Sequence, residues 1–258
     1  MAFTVSLLVI LMSVPLMREA LYERSKEWMR LMQPYKHPSI TQLMQYLSII
    51  GDGEGLFYCF AGIYYGRGKN YEFTYLTCIF FMTYHWNNFL KQGLQDSRPQ
   101  FDDPSLAEEN VGDCSGEFGN PSGHTLIMFS LPPTWFWLYV DTHPNQLRKD
   151  GYVVKVIDAL IIAFGALMGL SRFYLGRHTL DQILLGAMLG YMSALFFRHV
   201  FKPYYFDPIF RTVPSSKKAW DTFWTVTIIS GALLLKVWLI FMYVENFVDI
   251  PESWLVNI

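Results

Sequence analysis

Lys91, Arg98, His124, Arg172 and His178 are the residues of this 258-residue chain whose types and spacing could do chemistry together. They fall in three short stretches. Lys91 is separated by six residues from Arg98-Pro99, Pro121-Ser122-Gly123-His124 follows, and Ser171-Arg172 precedes His178 by a five-residue gap. Each pattern alone is common. Together they supply three fixed cations, two imidazoles and a Ser-Gly turn, which are the parts needed to hold a phosphate and break its ester bond. Phosphoryl transfer is mostly positioning and charge neutralisation. The planar forks of Arg98 and Arg172 suit paired phosphate oxygens, and Lys91 adds a point charge. The Ser122 hydroxyl and the backbone N–H groups around Gly123, at a helix start, favour an anion. No metal-binding motif is present, so no metal and no cofactor is expected, and these groups must neutralise the charge themselves. His178 is expected to attack phosphorus and form a phosphohistidine. His124 is expected to protonate the leaving oxygen and then activate water.

The elements that must position these residues are membrane spans. The chain is 52% hydrophobic and 16% charged, against about 25% charge in a soluble domain. A net charge of −2 gives no basis for nucleic-acid binding. The three cysteines, Cys59, Cys78 and Cys114, lie far apart and support neither a zinc site nor a disulfide framework. Residues 2–17 are apolar but short for a full span and read as a first span or an interfacial helix, with no leader signal. Residues 18–38 carry mixed charge and predict an amphipathic helix along the membrane surface. Stronger apolar segments cover 41–66, 73–91, 125–142, 152–171, 179–200 and 219–244. The first is interrupted by Gly51-Asp52-Gly53-Glu54-Gly55, and Pro132-Pro133 predicts a kink in the third. The fold class expected is an all-α integral membrane protein, a bundle of six or seven spans. Residues 1–40 form an N-terminal part, 41–200 the core, and 201–258 an extra span and tail. On this map the three stretches sit at span ends, and alternating crossings bring them to one side of the membrane.

In these three stretches the chain resembles the type 2 phosphatidic acid phosphatase superfamily, which also holds glucose-6-phosphatases and vanadium haloperoxidases. The resemblance covers roughly 45–200. It implies a membrane phosphatase with His178 as nucleophile and His124 as acid/base, and with Lys91, Arg98, Ser122, Gly123 and Arg172 as the phosphate cradle. The GDGEG and SRFYLGRH wording resembles the sphingosine-1-phosphate phosphatase and glucose-6-phosphatase branches. One position departs. The family pattern puts an Asp four residues after the nucleophilic His, where this chain has Gln182, and the acid, Asp181, is one residue early. Either Asp181 orients His178, or Gln182 accepts the ring N–H without a charge. An uncharged partner predicts a weaker site, or a non-catalytic member serving as a structural subunit among other membrane subunits.

Several residues also have structural readings. Lys91 alone would snorkel to headgroups, and Asp181 would be an ordinary helix-start acid. Thr134-Trp135-Phe136-Trp137 reads as packing or an interface belt. The acids of 100–120 (Asp102, Asp103, Glu108, Glu109, Asp113, Glu117) read as a solvated loop, or as a lid meeting a cationic headgroup. Arg67, Lys69, Arg148, Lys149, Arg198, Lys202, Arg211, Lys217 and Lys218 lie opposite the site, which predicts a lumenal or exoplasmic site in an internal membrane such as the endoplasmic reticulum. The expected partners are membrane lipids and a phosphorylated lipid or sugar phosphate.

Overall fold

The computed structural model describes residues 15–51, 53–106, 118–143 and 151–211. The segment 2–17 (apart from its last three residues), the span 219–244 and four of the loop acids lie outside the described residues. Among the described residues the chain is helical, without a strand. We number the longer helices α1 Pro15–Met32, α2 Pro38–Ile50, α3 Gly53–Gly66, α4 Asn70–Leu94, α5 Gly123–Thr142, α6 Gly151–Tyr174 and α7 Leu180–Phe196. A π-helical stretch, Phe197–Phe206, continues α7 and leads into a short helix, Asp207–Arg211.

Two helices among the described residues are long and apolar enough to cross a bilayer: α6, and α7 with its continuation to Phe210. Only 17% of the apolar window of α6 is buried. Its hydrophobic surface therefore faces outward, as lipid contact requires. The expected break after Ile50 is present, with Gly51 capping α2 before α3 begins. Pro132 and Pro133 both lie inside α5, which continues through them. Just after the prolines the Thr134 hydroxyl donates to the Ser130 carbonyl at 2.7 Å. Phe136 and Trp137 are buried, and Trp135 stacks on Phe60 at 4.5 Å between ring centroids, so this aromatic run packs helices together.

Three apolar clusters hold the bundle, one of them around Phe136, Trp137 and Ala194 between α5, α6 and α7. Another joins α4, α5 and the π-helical stretch through Leu76, Ile79, Ile127, Leu131 and Phe197. The third lies beneath the candidate site and joins α1 to the rest through Met29, Leu106, Phe173 and Ile183. Helices α5 and α7 meet through Gly186 and Gly190, a one-turn pair of small residues that lets two backbones approach closely. A Cβ at Gly186 would lie 2.6 Å from the Ser122 carbonyl oxygen, and one at Gly190 would collide with the Leu126 carbonyl. This contact sets the heads of α5 and α7 side by side, and each head carries one of the two histidines.

Helix α1 is amphipathic as its sequence predicts, but its inner face is spent on protein. Ser25, Lys26 and Met29 are buried. The Leu180 N–H donates to Ser25 Oγ at 3.1 Å, tying α1 to the first turn of α7. Arg18 pairs with Asp96, Lys26 with Asp102 at 3.7 Å, and Arg30 with Asp103 at 2.6 Å. The two described acids of the 100–120 loop are therefore engaged by α1 while keeping part of their surface in solvent.

Candidate active site

The local backbone explains how each motif is presented. Lys91 occupies the last turn of α4, which Gln95 closes in a left-handed conformation (φ 51°), its N–H donating to the Lys91 carbonyl at 2.9 Å. Arg98 then caps a single helical turn, Pro99–Asp102, with proline at its first position. Ser122 caps α5, with its hydroxyl 3.0 Å from Thr125 Oγ1.

The third motif is built by a helix ending and a helix start placed back to back. Gly176 has φ +70°, a conformation that glycine adopts without cost. The Gly176 N–H reaches the Phe173 carbonyl at 3.0 Å, and the Arg177 N–H reaches the Arg172 carbonyl at 2.9 Å. These two bonds are the Schellman ending of a helix. They lock Arg172 to the residue preceding His178. One residue later Thr179 caps α7. Gln182 is the third residue of that helix, and its side chain folds back toward the cap, with Oε1 accepting from the Thr179 N–H at 3.4 Å.

The same Oε1 lies 3.1 Å from Nδ1 of His178. The other end of the amide, Nε2, donates to the Ser97 carbonyl at 2.8 Å. A carbonyl only accepts, so the amide orientation is fixed. The oxygen then faces the ring, and the ring nitrogen must carry the proton. His178 is thereby held as the Nδ1–H tautomer, and the lone pair sits on Nε2. The Gln182 carbonyl also accepts from the Ser122 N–H at 3.1 Å. Gln182 thus touches all three motifs: Ser97 beside Arg98, Ser122 in the PSGH turn, and His178. Gly119 leaves room for this junction, since a Cβ there would lie 2.6 Å from Gln182 Nε2 and 2.7 Å from the Ser97 carbonyl oxygen.

His178 is 1% exposed. Burial first, and then the charges of Arg98, Arg172 and Lys91, hold its imidazole well below the usual histidine range, with Gln182 opposing weakly. It is therefore neutral and nucleophilic near neutral pH. Burial first, and then Arg172, Lys91 and Arg98, hold His124 well below the usual histidine range as well, although its side chain on the first turn of α5 keeps some exposure. Arg172 is held in turn by the Ser48 hydroxyl of α2. The charges of Lys91, Arg98 and Arg172 thus reach both His124 and His178.

Two expectations are corrected. The Ser122 N–H is committed to Gln182, so the open backbone donors of the PSGH turn are those of the first turn after it. Asp181 makes no hydrogen bond to His178 among the described residues. Its carboxylate lines a different cavity, with Arg18, Glu19, Tyr22, Asp96 and Ser97. Ser48 and Ser97 are site residues that sequence reasoning missed, since a lone serine gives no signal. Gln182 did leave one: Thr179-Leu180-Asp181-Gln182 is a capping-box sequence.

Residues 71–206 match the PAP2 superfamily, which shows that the chain belongs to it. Among curated proteins it is 30% identical over 152 residues to diacylglycerol pyrophosphate phosphatase 1 of Saccharomyces cerevisiae, covering 50% of this chain and 51% of that one. It is 30% identical over 137 residues to phosphatidylglycerophosphatase B of Bacillus subtilis, covering 53% of this chain and 60% of that one. The matched stretch thus spans little more than half the length of these curated relatives. The fold is similar to that of a transmembrane PAP2 type phosphatidylglycerolphosphate phosphatase from Bacillus subtilis, with a TM-score of 0.64, 19% identity, and coverage of 78% of this chain and 96% of that one.

Proposed function

We propose that the chain is a membrane phosphatase that hydrolyses a phosphate monoester, a lipid phosphate in the first instance. The observation that carries this reading is the chain Ser97 carbonyl–Gln182–His178, which aims a neutral Nε2 lone pair among three cations. Nε2 of His178 attacks phosphorus while the phosphorus–oxygen ester bond breaks. The bound phosphate dianion offsets the three cations and lets His124 take up a proton, which passes to the leaving alkoxide, giving the free alcohol and a phosphohistidine. Water then attacks phosphorus, its proton passes to His124, and inorganic phosphate leaves with His178 restored. Lys91, Arg98, Arg172 and the N–H groups at the head of α5 stabilise the equatorial oxygens. Gln182 positions the nucleophile, and Asp181 has no part in the step. A lipid substrate is supported by the two relatives, both named for lipid phosphates, and by an outward-facing apolar α6 beside the site.

This reading also holds the bundle to be six or seven spans with the site on one membrane face. The basic residues opposite the site favour the lumenal side of an internal membrane. The decisive experiment is a phosphatase assay on the purified full chain with lipid and sugar phosphates, in chelator, with vanadate as inhibitor and His178→Ala as control. Turnover that survives chelator and disappears in the variant is expected. Equal turnover in the variant rejects the mechanism. No turnover on any ester favours a structural subunit instead.

A further inference from the structure

The ring of His178 is fixed through Gln182, and Gln182 is fixed through the Ser97 carbonyl. Ser97 lies in the non-helical link between α4, which ends at Leu94, and the short turn Pro99–Asp102. A helical ladder does not hold the peptides of such a link, so other contacts must. The Gly119 N–H holds one point, the Asp96 carbonyl, at 2.7 Å. Much of the rest comes from α1, which lies outside the residues that match the superfamily.

Successive turns of α1 grip this link. Arg18 pairs with Asp96. One turn on, the Tyr22 hydroxyl lies 2.9 Å from Ser97 Oγ and 2.6 Å from Asp102 Oδ2. Ser97 Oγ lies 3.0 Å from the same carboxylate oxygen, and Lys26, a further turn along, lies 3.7 Å from it. The Tyr22, Ser97 and Asp102 oxygens thus form a closed triangle in which two hydroxyl protons serve three edges. Every way of placing those protons keeps the Ser97 hydroxyl bonded. Without the tyrosine hydroxyl, one proton and one edge remain. At its other contact α1 holds the head of α7, where Ser25 Oγ accepts from the Leu180 N–H at 3.1 Å. Gln182 rides on α7 and reaches across to the Ser97 carbonyl, so α1 is a splint over the gap that Gln182 spans.

We propose that Tyr22 positions His178: its hydroxyl holds Ser97, whose carbonyl keeps the Gln182 amide, and so the imidazole, in place, while Ser25 steadies the α7 end. The consequence for rate rests on the phosphatase reading and adds to it a positioning residue from outside the matched core. Tyr22 stands outside the cradle of Lys91, Arg98 and Arg172. Its loss therefore weakens the attack on phosphorus and leaves phosphate binding intact.

The test uses the full chain in detergent and Tyr22→Phe, which keeps the ring and drops the hydroxyl. Nitrogen NMR of histidine-labelled protein reads the tautomer of His178, whose signals are identified by their loss in His178→Gln. A single Nδ1–H form is expected in the wild type and a mixture of tautomers in Tyr22→Phe. On a long-chain alkyl phosphate, kcat is expected to fall about tenfold. KM and the inhibition constant of inorganic phosphate should stay within about twofold. In a Gln182→Leu background the same substitution is expected to cost less than about twofold, because the path it acts through is already cut. An unchanged His178 spectrum, an unchanged kcat in an active enzyme, a loss confined to KM, or losses that multiply in the double variant overturns the proposal. Should Tyr22→Phe not fold, Ser25→Ala, at the other anchor, decides by the same readings. A tautomer mixture in a variant of a chain that hydrolyses no ester would sink the phosphatase reading and leave the positioning of His178 standing.

Discussion

The two histidines of the site are held in opposite ways. His178 is buried, follows a Schellman ending and precedes a capped helix, and has one ring nitrogen tied to Gln182. His124 stands partly exposed on an open first turn, and its side chain makes no hydrogen bond among the described residues. The contrast fits a division of labour. An attacking atom must be held within a fraction of an ångström of its target. A proton carrier must face a leaving oxygen and then a water, and that calls for access more than rigidity.

Breaking the rigid half should cost most. His178→Ala is expected to lower kcat by about 10⁴-fold or more, since no other group can form the covalent intermediate. Vanadate-sensitive turnover in the variant would refute this. His124→Ala is expected to cost about 10²–10³-fold on an alkyl phosphate. On an aryl phosphate the cost should shrink, because a phenolate leaves with little help. An equal loss on both esters would mean that His124 holds the phosphate instead.

Gln182 sharpens the comparison further. Gln182→Leu removes the acceptor that fixes the tautomer and is expected to lower kcat about 10²-fold with KM little changed. Gln182→Glu restores an acceptor but loses the donor to Ser97, so it should recover part of that loss. A drop confined to KM would make Gln182 a binding residue. Gly119→Ala presses a methyl group into the same junction and is expected to destabilise the fold by about 1–3 kcal/mol, read from chemical denaturation, with kcat falling alongside.

The smallest effect is on pH. The native His178 resists protonation, while the unfolded one titrates at about 6.5. Below that pH the unfolded state binds the extra proton, so stability falls as the medium is acidified. His178→Gln should flatten this decline between pH 6.5 and 5 in thermal melts, and an unchanged slope would count against a neutral native imidazole.

The cradle residues were legible because charge and imidazole at span ends have few other uses. The choice between Asp181 and Gln182 was not. Helical spacing puts both on the face of His178, but His178 precedes the helix, which starts at Leu180. Cap geometry governs there, and it favours the third helical residue. The docking of α1 was invisible for another reason. Tyr22, Lys26 and Arg30 recur at one-turn intervals and look like a face meant for headgroups, yet their partners Asp102 and Asp103 lie more than 70 residues away.

The glycine seam between α5 and α7 has a mechanical meaning. His124 and His178 ride on the tops of two rods whose fulcrum lies at Gly190, about 15 Å down the axis of α7. Any side chain wedged at that fulcrum tilts the rods and spreads their tips. A substitution deep in the apolar layer, touching no polar atom of the site, would thus detune the chemistry by leverage.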